Sequence, residues 1–237
     1  METDSLTRYS EITEKNRREI VLLRGSGCKW RRCTFCDYHL DFSLDKDSNF
    51  SLNQKVLKQV TGKYGKLEVI NSGSFVDLDN RTVQLIVETC IEKKIAEIHF
   101  ECHWMHRDSV AALRKIFAAH GIQVKIKIGV ETFDNQYREQ VLHKGIDETS
   151  PAKIAACFDE VCLLFGLDGQ TEDSMLYDIE TGLANFERVC INIMVENTTK
   201  IQPDSSVIDI FMKKLYPVYK DNKRIDILLN NTDFGVG

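Results

Sequence analysis

Only three of the 237 residues are proline, and no stretch is of low complexity. Few positions are therefore barred from helix or strand interiors, and an extended proline-rich linker is excluded. No apolar run approaches the roughly 20 residues that cross a bilayer, so a helical membrane span is not expected. A secretory leader is not expected either, because residues 1–18 are polar and charged. Internal repeats of motif length are lacking. A broad basic footprint is missing as well: the net charge is −5, and the only local cluster is Lys29, Arg31 and Arg32. Phosphate-rich partners call for clustered basic residues. Stable nucleic-acid binding is thus disfavoured, and a small-molecule or protein substrate is expected in a cytoplasmic protein.

Cysteine is abundant instead, with eight in the chain. In a reducing compartment such residues bind metal more often than they form disulfides. Three of them, Cys28, Cys33 and Cys36, lie in Gly25-Ser26-Gly27-Cys28-Lys29-Trp30-Arg31-Arg32-Cys33-Thr34-Phe35-Cys36, a C-x4-C-x2-C spacing just after the apolar residues 20–23. Thiolates this close on a loop can share one metal centre. Three of them satisfy three irons of a cubane and leave the fourth open for chemistry. The structural alternative is a zinc site completed by His39. Cys90, Cys157, Cys162 and Cys190 fall in apolar patterns and read as small buried hydrophobes, as does Cys102.

Along the chain, β-rich runs near 19–24, 67–71, 95–101, 123–130, 159–166, 188–196 and 224–230 alternate with amphipathic stretches near 52–61, 79–93, 107–119, 134–143, 171–186 and 204–215. Asp79 and Asp204 stand at expected N-caps, and Gly121 and Gly145 where helices stop. Repeated β-α units imply a parallel sheet. The fold class is α/β, a partial (β/α)6–7 TIM-like barrel. One domain is expected over 1–237, with a short helix at 6–17 and the barrel from 19 to 237. Chemistry in such barrels gathers where strands end. After the cysteine loop those ends are Asn71-Ser72-Gly73-Ser74, Glu101-Cys102-His103, Gly129-Val130-Glu131, Gly166-Leu167-Asp168, Glu196-Asn197 and Asn230-Asn231-Thr232-Asp233.

These features together resemble the radical S-adenosylmethionine (SAM) superfamily. That family places three cysteines after the first barrel strand, usually as C-x3-C-x2-C with an aromatic before the third. Phe35 matches the aromatic, while the first spacing is one residue longer here. Asn71-Ser72-Gly73-Ser74-Phe75 looks like the family's second-strand glycine motif. Ile128-Gly129-Val130-Glu131-Thr132-Phe133-Asp134, then Lys144-Gly145, and Leu164 to Glu172 are similar to the branch around elongator-type and archaeosine-forming enzymes. Within it the chain looks most like the queuine lyase group of bacterial queuosine salvage, by size, overall pattern and its Ser72-Gly73-Ser74-Phe75 and Asn231-Thr232-Asp233 ends.

The resemblance implies a [4Fe–4S] cluster on Cys28, Cys33 and Cys36, with SAM on the open iron and a 5′-deoxyadenosyl radical generated from it. It implies SAM contacts from Tyr38, Ser72, Gly73, Ser74 and Glu131, and from Glu101 a contact to the SAM ammonium or to the substrate. His103, Asp168, Asn192, Glu196, Asn230 and Asp233 are the substrate candidates. A 7-deazaguanine such as queuine offers N–H donors and a cationic amine, which call for acceptors. The implied activity is a carbon–nitrogen lyase that converts queuine to preQ1, with a reductant such as flavodoxin. The alternatives are a tRNA-modifying radical enzyme with a partner subunit, an enzyme that installs a glycyl radical, and a zinc-stabilised binding module.

Overall fold

The computed structural model describes residues 6–237. Eight strands form one sheet in chain order: β1 (Tyr9–Ile12), β2 (Arg18–Leu23), β3 (Lys66–Asn71), β4 (Glu97–Glu101), β5 (Gln123–Glu131), β6 (Glu160–Phe165), β7 (Arg188–Ile193) and β8 (Ile225–Leu228). β1 pairs antiparallel with β2, and every later pairing is parallel. The α-helices are α1 (Lys46–Leu57), α2 (Asn80–Glu92), α3 (Val110–Ala118), α4 (Asn135–Gln140), α5 (Pro151–Ala155), α6 (Glu172–Asn185), α7 (Ser205–Ile210) and α8 (Tyr216–Tyr219), the last two joined by a π-helical turn at Phe211–Leu215. Asp79 and Asp204 cap α2 and α7 by accepting from the backbone N–H groups of Arg81 and Thr82, and of Ser206 and Val207.

The expected helix at 6–17 is not formed. Its central residues are β1, in register Tyr9 with Val21 and Ile12 with Arg18. The connection turns through Asn16 at φ 43°, a left-handed conformation that asparagine tolerates. β1 is fixed by distant partners, which local propensity does not register: Thr7 and Gly237 exchange both backbone hydrogen bonds, at 3.1 and 2.9 Å.

Strand periodicity divides the molecule into two layers. One face of the sheet presents Val21, Leu23, Val69, Ile98, Phe100, Ile126 and Ile128 to Ile86, Phe117, Ile179 and Phe211 of the helical shell. Each such buried side chain contributes roughly 1.5–3 kcal/mol. The other face curls inward and is polar, carrying Arg18, Glu68, His99, Lys127, Glu160 and Asp226. These charges are paired: Glu68 accepts from Arg18 and Lys127, and Asp226 bridges Arg188 at 2.8 Å and Arg18 at 3.5 Å. The contact from Arg18 on β2 to Asp226 on β8 spans the interior and marks the curvature. Phe234, on the C-terminal segment, packs against two small clusters on this face, Ile12, Ile20 and Val236 on one side and Cys162, Cys190 and Leu228 on the other.

Candidate active site

The three cysteines lie on the loop between β2 and α1 and line one cavity of about 220 Å³ at the C-terminal ends of the strands. The loop is held from three sides. Cys28 N donates to Ser72 O beyond β3 at 2.9 Å, Thr34 N to Leu142 O beyond α4 at 3.2 Å, and Asn197 Nδ2 beyond β7 to Phe35 O at 2.7 Å. Gly73 permits the first contact, since a Cβ there would lie 3.1 Å from Cys28 N and 2.4 Å from Asp77 Oδ2. Between Cys28 and Cys33 the chain turns through Arg31 at φ 47°, whose Nε donates to Cys28 O at 2.8 Å.

All three thiols are free and partly accessible. Burial pushes the Cys33 thiol up and that of Cys36 to about 11, so loading a metal would release protons. Among the described residues no three His, Cys, Asp or Glu side chains gather closely enough to hold a single ion, and the side chain of His39 lies outside the described residues. A cluster places each thiolate on a different iron, so its ligands need not converge on one point as those of a single ion must. Three free thiols on one loop, facing one cavity, have the donor chemistry that a [4Fe–4S] cluster takes.

The cavity wall carries three carboxylate or ammonium arrangements of different kinds. At the end of β5 the register with β6 slips between Gly129 and Glu131, and Glu131 stands at φ 68°. Bulges of this kind re-aim a side chain beside a site; here Glu131 joins the cavity lining. Its Oε1 accepts from Lys144 Nζ at 2.6 Å, and Gly129 leaves room for the pair, its would-be Cβ falling 2.5 Å from that oxygen. Lys127 reaches the floor already paired with Glu68. Glu101 has no hydrogen-bond or ion-pair partner among the described residues, and burial pushes its carboxyl above the usual range.

Of the sequence candidates, Tyr38, Ser72, Gly73, Ser74, Glu101, Glu131, His103 and Asn192 line this cavity with the cysteines. Tyr38 forms its rim and is 58% exposed. His103 has no free ring nitrogen: Nδ1 accepts from Met105 N at 3.2 Å and Nε2 donates to Lys144 O at 2.8 Å. It therefore offers the cavity a ring surface, and burial and Lys144 lower its pKa to about 4. Four candidates lie outside the cavity. Asp168 is exposed, since Gln170 folds back onto Leu167 N and Leu164 O and turns the strand end outward. Glu196 and Asn230 are also exposed. Asp233 is spent on a turn, accepting from Leu229 N and Asn230 N at 2.7 and 2.9 Å. The sequence reading missed Lys127 and Lys144; Cys162, taken as plain packing, also lines the cavity. Lys127 could have been found from Lys125-Ile126-Lys127-Ile128, where period-2 alternation sends every second residue of a barrel strand to the interior.

A scan against protein-family models found no match. An uncharacterized protein of Methanocaldococcus jannaschii is 27% identical over 145 residues, which span 53% of this chain and 38% of that relative. A solved structure of queuine lyase from Clostridium spiroforme, bound to SAM and queuine, superposes with a TM-score of 0.94 at 41% identity, covering 98% of this chain and all of that one. The curled, mostly parallel sheet, the three-thiol loop over its C-terminal mouth and this end-to-end likeness lead to one assignment: the chain belongs to the queuine lyase family of radical SAM enzymes.

Proposed function

We propose that this protein cleaves the C–N bond between the aminomethyl 7-deazaguanine and the cyclopentenediol of queuine, releasing preQ1 for queuosine salvage. The observation that carries this reading is 41% identity, over 98% of the chain, to an enzyme whose structure holds both SAM and queuine.

In this reading Cys28, Cys33 and Cys36 hold three irons of a [4Fe–4S] cluster, and SAM takes the fourth. The reduced cluster would supply the electron that splits the SAM C–S bond into methionine and a 5′-deoxyadenosyl radical, chemistry that belongs to the cofactor. The Ser72 hydroxyl and Gly73 carbonyl carry no hydrogen bond among the described residues and are the acceptors left for the SAM ammonium. Ser74 holds that turn to the next strand, its Oγ accepting from His103 N at 2.9 Å. Glu131, with Oε1 on Lys144, turns Oε2 to the ribose hydroxyls. Tyr38 covers the adenine side from the rim.

Glu101 serves the substrate. A carboxylate without a counterion in a half-buried mouth is a waiting site for a cation, and queuine carries a secondary ammonium. Asn192, whose Oδ1 lies 3.9 Å from Cys190 Sγ, offers its amide N–H groups to the diol. Asp168, Glu196, Asn230 and Asp233 take no part in this arrangement. The test compares SAM cleavage by anaerobically reconstituted protein with free queuine and with queuosine-bearing tRNA. Queuine alone should stimulate 5′-deoxyadenosine formation. Stimulation by the tRNA alone would move the chain to the tRNA-modifying class.

A further inference from the structure

The sequence assigns Lys144 no role in cluster or SAM binding, yet its side chain lines the cavity beside Glu131. The Lys144 side chain is 12% exposed, and its ammonium lies 2.6 Å from Glu131 Oε1. It also sits 5.5 Å from the ring centroid of Phe35, the residue between Thr34 and Cys36. Cys33 and Cys36 both feel its positive charge. Its backbone is fixed independently, the amide donating to Arg138 O at 3.2 Å and the carbonyl accepting from His103 Nε2. The charge is thus held between the cysteine loop and the end of β5 by contacts on both sides.

We propose that Lys144 is the positioning residue that joins cluster and SAM sites, with two effects. It restrains one oxygen of Glu131, which leaves the other aimed into the cavity. It also places a permanent positive charge beside two of the three thiolates, which favours the reduced cluster. Net charge near the sulfurs is one of the protein's levers on cluster potential, and a charge in a partly dry site is screened little by water. Glu131 carries the opposite sign, so the pair sets the potential by difference. The inference rests on the proposed cluster at Cys28, Cys33 and Cys36.

The test is a redox titration of the reconstituted protein followed by electron paramagnetic resonance, without SAM, on the parent, Lys144→Met, Lys144→Arg, Glu131→Gln and the Lys144→Met/Glu131→Gln pair. Iron and sulfide are counted in each. Lys144→Met should move the midpoint to more negative potential and Glu131→Gln to more positive. The double variant, which restores the charge balance, and Lys144→Arg should both lie near the parent. A merely structural lysine would change iron content or unfolding temperature without this order of signs. If the parent holds a cluster and Lys144→Met titrates at the parent's midpoint, the inference is overturned while the cluster assignment stands. A parent that takes up no cluster overturns the functional reading itself. Should Lys144→Met lose its iron, the other three variants decide: Glu131→Gln at the parent's midpoint overturns the proposal.

Discussion

Trp30 stacks on His103, their ring centroids 5.3 Å apart and their planes 22° from parallel. Trp30 Nε1 also donates to His143 O at 2.8 Å, and Gly145, at φ 71°, leaves no space between itself and that indole. The cysteine loop is thereby clamped to the ends of β4 and α4. His103 must stay neutral in this clamp, because its Nδ1 accepts a backbone N–H.

A pH dependence follows from the clamp. The pKa of His103 is lowered from 6.5 to about 4 in the fold. The unfolded chain therefore binds the proton first, and stability present above pH 6.5 is lost as pH falls toward 4, by up to about 3 kcal/mol. In urea unfolding at pH 7.5 and 4.5, His103→Gln should lose less stability across that interval than the parent. Equal losses would show that His103 does not contribute.

Glu101→Gln should weaken queuine binding by a charge-assisted hydrogen bond, about 1.5–3 kcal/mol or roughly 10- to 100-fold in Kd, with SAM binding retained. Calorimetric titration of each ligand decides between them, and a loss confined to SAM would assign Glu101 to the SAM ammonium. In the parent, queuine affinity should fall with an acid limb above the ordinary carboxylate range, because burial raises this carboxyl and protonation removes its charge.

The exposed acids give the converse expectation. Asp168→Ala and Glu196→Ala should leave queuine affinity within about twofold, less than about 0.5 kcal/mol, because neither side chain lines the cavity. A tenfold loss in either would mean that the loops close over the ligand.

Phe234→Ala should destabilise the fold by about 1.5–3 kcal/mol, at or below the bottom of the range for a fully buried phenylalanine because the ring is only half-buried. It packs against the Ile12, Ile20 and Val236 cluster on one side and against Cys162, Cys190 and Leu228 on the other, and lies 5.1 Å from the Arg18 guanidinium. Urea unfolding measures this directly, and a change below about 0.5 kcal/mol would deny the C-terminal segment a role in closing the barrel.

The β-α alternation made the parallel sheet legible, because each strand and each amphipathic stretch is a local pattern. The cysteine loop and the groups at Ser72, Glu101 and Glu131 were legible by spacing and by their place at strand ends. What stayed hidden depends on non-local contacts. β1 forms because β2 and the C-terminal residue pair with its surroundings. Asp168 follows a strand as Glu131 does, but Gln170 turns it outward. Lys144 reads only as part of the stretch that carries the resemblance, because its role depends on α4 and the following turn bringing its ammonium to Glu131.

The most direct measurement is mass spectrometry of the base after anaerobically reconstituted protein, with about four irons and four sulfides per chain, is incubated with SAM, reduced flavodoxin and queuine. The parent should turn queuine into preQ1 with 5′-deoxyadenosine and methionine formed alongside, and Cys33→Ala should lack both iron and activity. An iron-loaded parent that cleaves SAM but returns queuine unchanged would contradict the account.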